Sequence, residues 1–123
     1  MANGDPIDGQ VLLLAGAKAS VPAPNLAPLV DRVQAQIGPK LDEFRERFEL
    51  IFETDEAAYF FVGHEQWAVI AHRVDLNDRE MDAVRRAHNE QLLRMGRRED
   101  RQFEFDAALD IRDCIVIGKA AES

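Results

Sequence analysis

The sequence predicts a mainly α single domain, a helical bundle of five or six helices with a minor two-stranded β ribbon. Three observations carry this. Apolar residues recur at helical spacing through most of the chain, most clearly from Leu76 to Met95. Two short runs rich in β-branched and aromatic residues, Tyr59 to Val62 and Cys114 to Ile117, each end on a glycine. A length of 123 residues suffices for one hydrophobic core and not for two. The domain is therefore expected to span 1–123, with 1–4 and 120–123 as frayed tails.

Taken in order, Asp5 before Pro6 has the form of an N-cap and first helical residue, and Asp8 adds a first-turn carboxylate. Ile7, Val11 and Leu14 share a face that Leu12, Leu13 and Ala15 widen, so this helix is expected to be buried on more than one side and to end near Ala19. Ser20 to Pro24 reads as a short linker. From Asn25, the residues Leu26, Leu29, Val30, Val33 and Ile37 follow the helical template closely. Gly38-Pro39 then gives a stop and a restart, and Leu41, Phe44, Phe48 and Ile51 or Phe52 define a third helix. The second and third helices form either an αα-hairpin or one proline-kinked helix.

Glu53 to Glu56 reads as a solvated acidic loop without the ligand pattern of an EF-hand. The strand Tyr59 to Val62 follows. His64 to Val74 sets Trp67, Ile70, Ala71 and Val74 on one helical stripe. The chain's best-specified helix comes next. Asn77 stands as its N-cap with Glu80 completing a capping box, and Leu76 and Met81 form a hydrophobic staple. Met81, Val84, His88, Leu92 and Met95 line one side, with Arg79, Arg86, Glu90, Arg94 and Arg97 roughly opposite. Glu99 to Arg112 fits both strand and helix periods and is expected to be helical. Cys114 to Ile117 is a strand whose partner is Tyr59 to Val62, and the ribbon must lie against the helices to be stable.

The composition narrows the classes of function. No apolar run nears the ~20 residues of a membrane span, and the Met1 end lacks the basic region of a signal peptide, so a cytoplasmic setting without membrane contact is expected. The single cysteine, Cys114, excludes an internal disulfide and reads as a buried small hydrophobe. His64 and His72 lie ~12 Å apart along a helix, too far for one metal, and HExxH, Walker and GxGxxG patterns are absent. The two serines, Ser20 and Ser123, suit no catalytic triad. No cofactor is expected.

His88 interrupts an apolar stripe and is the candidate buried polar residue. Candidate interaction residues are Trp67 and the arginines Arg79, Arg86, Arg94, Arg97 and Arg98. Pairs Asp82 to Arg86 and Glu90 to Arg94, in the favourable i, i+4 order, would occupy part of that stripe. The expected role is thus a non-enzymatic protein-interaction module that binds an unidentified protein partner or itself, in the latter case as a homo-oligomer. The alternative is a nucleic-acid-associated regulator using the arginine face, and an enzyme or carrier around His88 is a third class.

The formal charge of -8 arises from 23 acids against 15 bases, of which Lys18, Lys40 and Lys119 are the lysines. A surface of many carboxylates and few lysines resembles the proteins of halophilic archaea, although a GC-rich genome also favours arginine. The run Leu76-Asn77-Asp78-Arg79-Glu80-Met81-Asp82-Ala83-Val84-Arg85-Arg86-Ala87 resembles the opening helix of helix-turn-helix domains in prokaryotic regulators, including a bacterio-opsin-activator type of haloarchaea. The resemblance stops before the DNA-reading part, because Arg97-Arg98-Glu99-Asp100 and then Cys114 to Ile117 follow, so no base-reading residue carries over. As a whole the chain is similar to small uncharacterised acidic proteins of haloarchaea, which implies a setting and no activity.

Overall fold

The computed structural model describes residues 6–119; Asp5 and the expected tails 1–4 and 120–123 lie outside the described residues. Among the described residues six α-helices accompany a small antiparallel sheet: α1 Gly9–Ala19, α2 Ala23–Ile37, α3 Leu41–Arg47, β1 Glu49–Glu53, β2 Ala57–Val62, α4 Glu65–Val74, α5 Asp78–Arg98, α6 Gln102–Ala108 and β3 Asp113–Gly118. The domain is mainly α, as the periodicity requires. Among the described residues no helix is long and apolar enough to cross a membrane.

The sheet has three strands where a two-stranded ribbon was expected, in the order β1-β2-β3. β2 is central and buried along its whole length, which is why it reads as a continuous apolar run instead of an alternating one. Tyr59 pairs with Val116 and Phe60 with Ile115. The added strand comes from the expected third helix, which stops at Arg47 because Phe48 turns to extended backbone. Glu49 to Glu53 then pairs with β2, with a register shift between Leu50 and Phe52. Phe44, Phe48 and Phe52 mimic a helical stripe, but cross-strand stacking of Phe52 on Tyr59 at 4.4 Å decides the outcome. Glu53, expected in a solvated loop, ends β1 and is gripped by Arg45 and Lys119. Those two cations, Arg45 first, hold its carboxyl down at about 2.

Successive side chains of β2 point to opposite faces. On one face Phe60 meets Phe44 of α3, and on the other Phe61 and Phe52 meet Phe105 of α6. α2 and α3 run on through a 3₁₀ turn, Gly38–Lys40, with Gly38 and Leu41 in right-handed helical backbone, the kinked arrangement and not the hairpin.

α1 departs from expectation. It begins at Gly9 with Asp8 as its cap residue, later than the Asp5-Pro6 pair suggested. It buries Val11, Ala15 and Gly16, while Leu13 and Leu14 are exposed. The helix packs chiefly on α5 and less extensively on α2, and a helix packed mainly on one side cannot bury a four-residue leucine-rich run.

Candidate functional site

α5 positions most of the polar chemistry. Its start is fixed by a capping box: Asn77 Oδ1 accepts the Glu80 N–H at 2.8 Å, and Glu80 Oε1 accepts the Asn77 N–H at 2.9 Å. From that start Ala83, Val84, Ala87, His88, Gln91 and Leu92 face the core. β3 runs along this face, and among the described residues no further strand lies beyond it.

The outer edge of β3 is closed by side chains. The N–H groups of Cys114, Val116 and Gly118 donate to Asn89 Oδ1 at 2.8 Å, His88 Nδ1 at 2.9 Å and Gln34 Oε1 at 2.8 Å. Gln34 also donates to the Val116 carbonyl at 2.7 Å. A row of strand donors that would otherwise recruit another chain is thus satisfied internally. The bond fixes the tautomer of His88: Nδ1 accepts, so Nε2 carries the proton. His88 is fully buried, and burial pushes its pKa down to about 3, which keeps the ring neutral. Its ring meets Trp67 edge-on at 4.8 Å. Neither His88 Nε2 nor Trp67 Nε1 has a hydrogen-bond partner among the described residues.

One residue before that edge, Asp113 is buried, with 1% of its surface exposed. His64 Nδ1 lies 2.8 Å from its Oδ2, while Arg85 and Asn89 donate to its Oδ1 at 3.2 and 3.1 Å. A carboxylate with three donors is a satisfied structural charge. Asn89 therefore ties Asp113 to the β3 edge. Cys114 is buried beside it, and burial pushes its thiol pKa up, away from nucleophilic use. His64 turns to Asp113 at the start of α4, whereas His72 is exposed on the last turn.

The candidate arginines do not form a free basic stripe. Arg86 is bound to Asp82 at 2.8 Å, the expected pair. Arg94 does not pair with Glu90. Its Nε lies 2.7 Å from Asp8 Oδ2, an ion contact without hydrogen-bond alignment, and Glu90 takes Lys18 at 3.0 Å because α1 lies against this side of α5. Arg98 leans toward the same Asp8 at 3.9 Å. Arg79 and Arg97 form no ion pair among the described residues, but they stand at opposite ends of α5, ~27 Å apart by rise. Trp67, a candidate surface anchor, is wholly buried. Its place on the inward stripe with Ile70 and Ala71 removes it from any surface role.

α6 presents the outward feature that periodicity concealed. Phe105 faces in and stacks on the sheet, seated against Gly96 of α5, where an added Cβ would come 2.8 Å from its ring. Phe103 faces out with 91% exposure, Ala107 is exposed one turn later, and Ile111 is 73% exposed one turn beyond that. The chain keeps a helical turn past the end of α6, since the N–H groups of Ile111 and Arg112 still donate to the Ala108 carbonyl. Phe103, Ala107 and Ile111 thus follow i, i+4, i+8 along ~12 Å. The residue pattern Phe103-Glu104-Phe105 held the signal: two aromatics two apart on a helix cannot share a face. Beside this stripe a groove of about 240 Å³ runs between α5 and α6, bordered by Arg86, Leu93, Asp106, Leu109 and Asp110.

The fold and these surfaces define a small, mainly helical domain carrying a three-stranded antiparallel sheet with one sealed edge. The chain belongs to the family described as domain of unknown function DUF8048, whose model matches residues 5–119. No curated protein and no solved structure matches the chain.

Proposed function

We propose that the protein is a non-enzymatic protein-interaction module and that the outward face of α6 is its docking surface. The observation that carries this is the stripe of Phe103, Ala107 and Ile111. Isolated exposed apolar residues are ordinary on any protein, but here two large ones lie two helical turns apart on one line. Supporting it, the groups able to do chemistry are engaged in the fold: His88 accepts from β3, Asp113 is saturated by donors, and Cys114 is buried. The alternative role, a nucleic-acid-associated regulator, draws less support, since Arg86 and Arg94 contact acids of the same chain. The net charge of -8 also opposes a polyanion.

The test compares wild type with Phe103→Ser by sedimentation for self-association, and by fluorescence anisotropy against amphipathic peptides and labelled duplexes. Loss of peptide binding or self-association in Phe103→Ser, with no duplex bound, is the expected result. Duplex binding that survives Phe103→Ser and falls in Arg79→Ala or Arg97→Ala would replace this reading with the nucleic-acid one.

A further inference from the structure

Resting on that reading, we infer that the occupant of the α6 face is a basic, apolar peptide segment of another protein and not a second copy of this chain. Charge around the stripe favours that occupant. Asp106 and Asp110 flank it on the groove side, and Glu99 and Asp100 precede it. These four carboxylates form no ion pair among the described residues. Of the cations nearby, Arg97 forms no ion pair among the described residues, and the others are committed. Arg101 holds Glu104 at 2.8 Å and lies over the Phe105 ring, and Arg112 holds Glu49 at 2.6 Å and lies over Phe61. Across the groove Arg86 is bound to Asp82, and Lys18 to Glu90. Arg85, which also borders the groove, is bound to Asp82 and Asp113, so four carboxylates face one unpaired cation and the stripe is rimmed by an excess of negative charge.

Such a rim selects its partner. A second copy would bring four more carboxylates to the same interface and a further charge of -8 to the assembly. A segment with apolar side chains on the Phe103 to Ile111 line and lysine or arginine beside them would bury the stripe and neutralise the rim together. Asp106 and Asp110, one turn apart and ~6 Å along the axis, suit a guanidinium placed between them. This is the helix-in-groove mode of recognition, read by an apolar line with flanking charge.

The probes are two labelled amphipathic peptides of equal length, one of leucine and lysine and one of leucine and glutamate. Each is titrated with the full chain by fluorescence anisotropy, at a salt concentration where circular dichroism shows the fold intact. The lysine peptide is expected to bind and the glutamate peptide not. Phe103→Ser should weaken binding about tenfold or more. The double change Asp106→Asn with Asp110→Asn should weaken it several-fold and flatten its salt dependence, and Ile111→Ser serves if Phe103→Ser fails to fold. Equal binding of both peptides, or unchanged binding by the double variant, would overturn the basic partner while leaving the apolar docking face. Self-association abolished by Phe103→Ser would assign the face to a second copy. No peptide binding and no self-association would remove the docking face itself.

Discussion

Nδ1 of His88 accepts the backbone N–H of Val116 at 2.9 Å, and through that bond the central helix closes the edge of the sheet. Asn89 and Gln34 repeat the device on either side of it, at Cys114 and Gly118. The consequence for function is negative and useful: β3 is not a place for strand addition, and His88 is occupied by the fold.

His88→Ala removes both the acceptor and the ring that packs on Trp67. We expect a loss of about 3 kcal/mol in urea unfolding. His88→Phe restores the volume but leaves the Val116 N–H unpaired in the interior, and should still cost about 1 to 3 kcal/mol. A fully stable His88→Phe protein would mean that the edge bond contributes nothing.

The same residue sets an acid limb. Burial lowers its folded pKa from 6.5 to about 3, so between those values the unfolded chain binds the proton and the folded one does not. Stability from this group is complete above about pH 6.5 and is lost as pH falls toward 3. Denaturant midpoints measured across that window should decline, beginning above the range where carboxylates titrate. In His88→Phe the upper part of the decline should disappear.

Asn77→Ala should cost about 1 kcal/mol, because the Glu80 N–H loses its side-chain acceptor, while the reciprocal bond from the backbone N–H of residue 77 to Glu80 is retained. Asn77→Asp retains an acceptor oxygen and should be nearly neutral. Thermal melts of both variants check the pair.

Much of this was legible locally. The capping box announces α5 because Asn77 and Glu80 are three residues apart, and Val84, His88 and Leu92 keep one period throughout. What escaped was set by distant partners. β1 reads as helix because Phe44, Phe48 and Phe52 share helical spacing; only β2, across a hairpin, offers the alternative. His64 and Asp113 meet across 49 residues, and Gln34 and Gly118 across 84, so neither pair has a local signature. α6 was ambiguous for a different reason: Phe103 and Phe105 serve opposite sides of one helix, so an outward apolar position blurs the period.

Salt provides a prediction about the whole surface. With a net charge of -8, repulsion opposes the compact state in dilute buffer, and the Debye length falls from ~10 Å at 0.1 M to ~3 Å at 1 M. The melting temperature should rise as potassium chloride is raised over that range. A salt-independent melt would show that the resemblance to halophilic proteins has no energetic counterpart.

The proposed docking face requires that Phe103 and Ile111 are held outward for a partner and contribute nothing to the fold. Urea unfolding of the double variant Phe103→Ser with Ile111→Ser tests this most directly. Surface positions free of packing change stability by no more than about 0.5 kcal/mol each, so the double variant should unfold within about 1 kcal/mol of wild type with an unchanged slope. A loss of about 3 kcal/mol or more would show that the two side chains are packed inside the domain, and would contradict the claim.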